Sequence, residues 1–353
     1  MPEFTIQQFD LRDLPEPVVR ELHDAGEILH QEARPEDSRA PVEQMLLGLR
    51  HIPDVFHGSM VIARSSDGRI AGSAEGNWLD VDENKHVYNA GISVLPQYRR
   101  EGLGTTLLAA VCDLADAAGR NLLLVSASSR VPAGGEFARA VGAELGLVSH
   151  ENRLDLQELD RGLIGRWLED APSLAAGYSL ITADSPISDE LLPDFVQVMD
   201  VMNTAPRQSL ELEDMHFTPE LARAWEGEIL ATGQEHWCLL AREDATGKTV
   251  GLTDIFVNPE TPDRVSQGST GVLSEHRGHG LGKWLKAAMI QRLLESRPDV
   301  RWIVTGNATD NGPMLAINDQ LGFKPHASSE LWQITVERAR EYLAARREAV
   351  EAD

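Results

Sequence analysis

An arginine followed at fixed spacing by two glycines occurs twice in this chain. YRREGLG (98–104) carries Arg99, Gly102 and Gly104, and HRGHGLG (276–282) carries Arg277, Gly280 and Gly282 in the same order. Between an apolar strand and an apolar helix, such a stretch is suited to hold a phosphate. Glycine lacks a Cβ, so the chain can turn tightly and a ligand can approach the backbone. The first N–H groups of the following helix have no partner within it and, with the helix dipole, favour an anion. The arginine adds a fixed charge matched to phosphate oxygens. Two familiar nucleotide loops do not fit: GLGTT and GLGKW lack the Gly-Lys-Ser/Thr of a P-loop, and the third glycine of the dinucleotide fingerprint is missing. A tight turn that binds nothing would account for one occurrence. Repetition in the same surroundings argues for a ligand.

The surroundings repeat as well. VLPQYRREGLGTTLLAA (94–110) aligns with VLSEHRGHGLGKWLKAA (272–288), IAGSAE (70–75) with TVGLTD (249–254), and EFARAVGA (136–143) with MLAINDQLGF (314–323). Several elements recur in the same order, so one domain is duplicated. Each copy reads as a helical stretch, a strand (58–65 or 236–243), a Gly-containing turn, a second strand, a polar hairpin and a third strand entering the repeated loop. A helix follows, marked by Leu107, Val111, Leu114 and Ala118, or by Leu285, Ala288, Met289 and Leu293. The runs LLLV (122–125) and WIV (302–304) read as buried strands of parallel type, and a last helix and strand close each copy. These patterns divide the chain into an N-terminal domain (1–158), a connecting segment (159–177) and a C-terminal domain (178–353). The segment 155–178 reads as a helix ending at the Pro172 and Gly177 breakers, and the tail as a charged, solvated or partner-facing helix.

Length and composition agree. A chain of 353 residues suits about two domains, and 42% hydrophobic with 25% charged residues suits a globular protein. A net charge of −24 disfavours nucleic acid or an anionic membrane as partner, and is compatible with a cationic small molecule. No apolar run is long enough to span a bilayer, and the N-terminus has no signal-peptide pattern. Cys112 and Cys238 offer neither a disulfide framework nor metal-ligand spacing, so no metal is expected. A cytoplasmic protein, as a monomer or homodimer, is the expectation.

The arginine–glycine loop after VLPQY or VLSEH, with a downstream helix ending in LGF, resembles the GNAT acetyltransferase superfamily. The duplicated layout resembles tandem GNAT proteins of actinobacterial type, the group to which mycothiol synthase belongs. The resemblance implies an α/β (α+β) fold of two tandem GNAT domains, each a mixed, mostly antiparallel sheet flanked by helices. It implies acetyl-CoA as donor, with the pyrophosphate on the backbone of Arg99, Arg100, Glu101, Gly102, Leu103, Gly104 and Thr105, or of Arg277, Gly278, His279, Gly280, Leu281, Gly282 and Lys283. The pantetheine arm would follow the strand ending at Val94–Leu95 or Val272–Leu273, where a backbone N–H near Val94 or Val272 would polarise the thioester carbonyl. Asn307 and Asn311 resemble residues that steady the cofactor arm. The second copy carries the fuller downstream match, so it is favoured as the catalytic one.

Attack by an amine needs a base. Glu75 and Asp254 each stand three residues after a strand glycine, Gly72 or Gly251, at a position that faces the cleft in this family. Either is a candidate base or anchor for a cationic acceptor, or a solvent-facing carboxylate. His276 and His279 are expected to pack or touch phosphate, and His236 to be a satisfied core histidine. The family's usual proton-donating tyrosine is replaced by Ala138 and Asn318. Met202, Asn203, Glu213 and Asp214 lie where the family builds its acceptor wall, and loop packing would explain them equally. The leading function is acetyl-CoA-dependent N-acetylation of a small amine. The alternatives are a non-catalytic CoA-binding or scaffolding protein, another acyl donor, or an oxygen acceptor.

Overall fold

The computed structural model describes residues 4–352. The chain forms two compact units that do not follow its two halves: one comprises 1–148, 207–213 and 328–353, the other 149–206 and 214–327. The closing strands cause the mismatch. Strand β6 (Glu144–Asp155), which ends the first repeat, supplies 149–155 to the second unit and pairs there with β11 (Trp302–Ala308). Strand β12 (Lys324–Thr335), which ends the second repeat, supplies Ser329–Thr335 to the first unit and pairs with β5 (Leu122–Ser128).

In the first unit the strands run β1 (Thr5–Asp10), β2 (Phe56–Arg64), β3 (Ile70–Leu79), β4 (Val87–Val94), β5 and the end of β12. All pairs are antiparallel except β4–β5. The side-chain alternation of a strand divides β2 between two cores. Val61 and Ala63 pack with helix α3 (Leu103–Ala117), whereas Met60 and Ile62 pack with Leu22 of helix α1 (Glu16–Ala33). Helix α2 (Val42–Arg50) follows α1. The C-terminal helix α10 (Val336–Ala352) is not merely solvated: Val336 and Ala339 enter the α3 core, and Arg340 pairs with Asp113 and Asp116.

The second unit repeats the plan with β7 (Tyr178–Thr182), β8 (Glu235–Glu243), β9 (Thr249–Val257), β10 (Arg264–Val272), β11 and the end of β6. Only β10–β11 is parallel among the described pairs of this unit. Along β8, Trp237, Leu239 and Ala241 join one core with helix α8 (Leu281–Ser296), while Cys238 and Leu240 join another with helix α6 (Leu192–Met199). Helix α5 (Arg161–Leu174) begins at an Asp160 cap accepting from Leu163 N–H, runs through Pro172, and belongs to this unit rather than standing as a linker. Helices α4 (Pro132–Val141) and α9 (Gly312–Leu321) end at Gly142 and Gly322, both left-handed. No helix among the described residues is long and apolar enough to cross a membrane.

Candidate functional site

Each unit builds its repeated loop in the same way. Strand β4 ends at Val94, a 3-10 turn follows at Pro96–Tyr98, and Gly102 caps α3 at φ +87°. Strand β10 ends at Val272, a 3-10 turn follows at Ser274–His276, and Gly280 caps α8 at φ +71°. A side chain at either cap would be strained, which explains these glycines. The backbone N–H groups of Arg100, Glu101, Gly102, Leu103 and Gly104 make no hydrogen bond within the described protein, nor do those of Gly278, His279, Gly280, Leu281, Gly282 and Lys283. Thr105 N–H, in contrast, donates to Gly102 O at 3.0 Å. Two nests of free donors at helix N-termini result, the arrangement that binds a pyrophosphate.

The arginines have a different first task from the one their charge suggested. Arg99 donates from Nε to Val94 O at 3.0 Å, and Arg277 to Val272 O at 2.9 Å, so each ties its loop to the preceding strand. Beyond that tie they differ. Arg99 is locked in a two-pronged pair with Glu32 at 2.7 and 2.6 Å, which holds the Glu32 carboxyl below its usual range. Arg277 is exposed and, among the described residues, meets the hydroxyl of Thr204 at 3.1 Å and no carboxylate. In the second loop, His276 and His279 pack on Tyr178, and Lys283 bonds Gln320 at 2.9 Å over the Trp167 ring.

Beside each loop the parallel pair of strands stops early. The β4–β5 ladder ends at Ala90↔Val125, and the β10–β11 ladder at Gln267↔Thr305, although each strand continues. The chain from Gly91 to Val94, and from Thr270 to Val272 after the β10 bulge, therefore has a ladder partner on one side only, leaving room for an extended ligand arm. Leu95 and Leu273 close these strands with N–H donated to Ala71 O and Val250 O. In the second unit Asn307 accepts from Asn318 at 2.8 Å, whereas Asn311 makes no side-chain hydrogen bond in capping α9.

The two candidate carboxylates have opposite environments. Glu75 lies opposite Gly91 in the β3–β4 register, with Oε1 3.1 Å from where a Gly91 Cβ would be. It faces a cavity of about 180 Å³ lined by α1, α2, β2, β3, β4 and Leu95. Glu75 is exposed to solvent, its carboxylate makes no hydrogen bond or ion pair with described residues, and partial loss of water on its cavity side raises its pKa from the ordinary value. Asp254 departs from the expected cleft-facing position. It is 1% exposed, accepts from Ser269 N–H at 2.7 Å across the β10 bulge, and lies 3.4 Å from His236. His236 is a core histidine but not the fully satisfied one expected: Nδ1 bonds Ser185 at 2.9 Å and the ring packs among Phe195, Trp225 and Phe256, whereas Nε2 has no hydrogen bond within the described protein. Over the same face of the second unit, Val201 fits so closely on Gly271 that a Cβ there would lie 2.6 Å from it.

The expected acceptor wall is scattered. Met202 packs on the Val201 core, and Asn203 clasps the backbone of Met215 at 2.9 and 3.0 Å. Glu213 sits in the first unit instead, accepting from Asn84 N–H at 2.5 Å, while Asp214 is an exposed residue of the second. Sequence reading missed the cavity residues of α1 and α2, whose only signal was an apolar helical periodicity indistinguishable from core. Among the described residues no group of acidic, His and Cys side chains could hold a metal ion.

The Acetyltransferase (GNAT) family matches residues 22–142 and again 198–323, most of the chain. The chain belongs to the GNAT acetyltransferase family. Among solved structures, a tandem GNAT protein from the clavulanic acid biosynthesis pathway, determined without AcCoA, is 27% identical over 95% of this chain and 99% of that one, with a TM-score of 0.75. A GCN5-related N-acetyltransferase from Sphaerobacter thermophilus shares the fold at 15% identity, over 94% of this chain and 96% of its own, with a TM-score of 0.64. No curated protein matches the chain. This tandem GNAT protein thus has the fold and the relatives of acyl-transfer proteins.

Proposed function

We propose that this tandem GNAT protein is an acetyl-CoA-dependent N-acetyltransferase of small amines, and that transfer takes place in the first unit. Acetyl-CoA is supported by the free N–H nests and by the tandem relative, whose structure is described with reference to AcCoA. The observation that carries the location is Glu75: an unpartnered carboxylate over a cavity beside the one-sided end of β4. The fuller motif match of the second copy speaks for cofactor binding there, but its carboxylate is spent on the backbone. A cytoplasmic setting fits a CoA-dependent reaction.

Glu75 would take the proton of an incoming ammonium. The neutral amine then attacks the thioester carbonyl, the C–N bond forms as the C–S bond breaks, and the thiolate leaves as CoA. The amide nitrogen's remaining extra proton passes to solvent or thiolate, since Ala138 supplies no acid where the family has tyrosine. A carboxyl whose pKa is raised is a stronger base than an ordinary carboxylate. Thiol release from acetyl-CoA with an amine tests this reading. Glu75→Gln is expected to lower kcat/KM by about 100-fold or more and to remove the acid limb of the pH profile. Asp254→Asn is expected to cost stability, about 1–3 kcal/mol for a buried acceptor, with a smaller change in turnover per folded molecule. Equal losses of turnover in both variants would refute the assignment.

A further inference from the structure

The cavity in the first unit has a chemistry of its own. Most of its side chains are aliphatic, among them Leu22 and Leu29 from α1, Met45 from α2, Met60 from β2 and Ile70 from β3. Its polar side chains are Ser73 and Glu75 of β3 and Ser93 of β4, and Glu75 is the one charged residue of the lining. We propose that this cavity selects a primary amine carried on an apolar body, an alkylamine or arylalkylamine, with the amine at Glu75 and the body against α1 and α2. The proposal rests on the reading of Glu75 as base.

Size and polarity both point this way. An apolar cavity of about 150 Å³ is enough for benzene, so about 180 Å³ admits a ring or a short alkyl chain. Burying such a body contributes about 25 cal/mol per Å². An amino sugar would bring several hydroxyls to a lining whose polar side chains besides Glu75 are only Ser73 and Ser93, at about 1–3 kcal/mol for each hydroxyl left unpaired. A polyamine would bring a second cation to the aliphatic end, where no carboxylate of the lining waits. A long acyl chain of the donor would suit the aliphatic wall, but it would press against Glu75 and leave that carboxylate without a counter-charge.

The test is a kinetic panel on the full-length protein: phenethylamine and hexylamine against glucosamine and spermidine, with acetyl-CoA or octanoyl-CoA as donor. The expected kcat/KM for the two apolar amines is at least about tenfold above that of the polar pair, the discrimination typical of an apolar pocket. Leu29→Asp, at a half-buried wall position, is expected to raise KM for phenethylamine about tenfold and to improve spermidine. Glucosamine or spermidine preferred by the wild type, with Glu75→Gln still abolishing turnover, would overturn this proposal and leave the proposed function standing. Acetylation of none of the four amines would overturn both. Preference for octanoyl-CoA, with Leu29→Asp raising KM for that donor and leaving the amine KM unmoved, would assign the cavity to the acyl chain and overturn the proposal as well.

Discussion

The two units carry the same loop and differ in what surrounds it. The second has the more cationic cradle: Arg277 meets no carboxylate among the described residues, and Lys283 stands where the first unit has Thr105, although Gly278 replaces the Arg100 that the first unit holds at φ +67°. The first has Arg99 neutralised by Glu32 and Arg100 beside an acidic Glu101, and it presents Glu75, without a hydrogen bond or ion pair among the described residues, to a cavity. Duplication has let the two requirements of acyl transfer drift apart. On the proposed reading, the second copy has the stronger electrostatics for a cofactor and the first the carboxylate and space for an acceptor, which is why transfer is proposed there.

Exchanging features between the units breaks or sharpens this comparison. The largest effect is expected at Lys286, 1% exposed on α8, where the first unit has the apolar Leu108. Burial pulls its ammonium down to about 7. Between that value and the ordinary lysine range the unfolded chain binds the extra proton, so stability rises with pH there, by up to roughly 1.4 kcal/mol per pH unit. Lys286→Leu should flatten that rise, as read by denaturant titrations from pH 7 to 10. A rise of unchanged slope would show that Lys286 does not titrate as described. Next in size is Arg100→Gly, which copies Gly278 into the first loop. Relief of a left-handed non-glycine residue should stabilise the unit by about 1 kcal/mol, seen as a higher Tm. A lowered Tm would mean that the Arg100 side chain matters more than its backbone. The smallest is Glu32→Gln, which frees Arg99 as Arg277 is free. Loss of a partly exposed ion pair costs little stability, and KM for acetyl-CoA should fall about threefold. A raised KM would show that Glu32 positions the loop.

Much of this architecture is legible in the sequence because it is local. Helix spacing marked α3 and α8, turn glycines marked the hairpins, and the repeated arginine–glycine spacing marked both cradles. The strand exchange is not legible: nothing in Glu144–Asp155 or Lys324–Thr335 says which unit each will join, since either partner satisfies the same apolar pattern. Edge strands β1 and β7 also escape, because β1 is largely exposed and carries little alternation. In the site, the spacing found Glu75 and Asp254 together, and the fuller downstream motif favoured the second copy, that of Asp254, as the catalytic one. What separates them is the β10 bulge, which turns Ser269 N–H onto Asp254, and the packing of Val201 on Gly271. Both depend on residues far apart in the chain.

Glycine-to-aspartate substitution in each cradle tests the central claim most directly. A Cβ at Gly104 would make ordinary 3.5 Å contact with Phe137, and one at Gly282 would meet only the end of the Ile317 side chain at 3.3 Å, so both variants should fold. Each places a carboxylate where a pyrophosphate must sit. With acetyl-CoA and an amine that the wild type acetylates, Gly104→Asp is predicted to lower turnover by about 100-fold or more, and Gly282→Asp by less than about tenfold while removing the second unit's share of bound CoA. Loss of turnover in Gly282→Asp with Gly104→Asp still active would place the chemistry in the second unit and contradict the account.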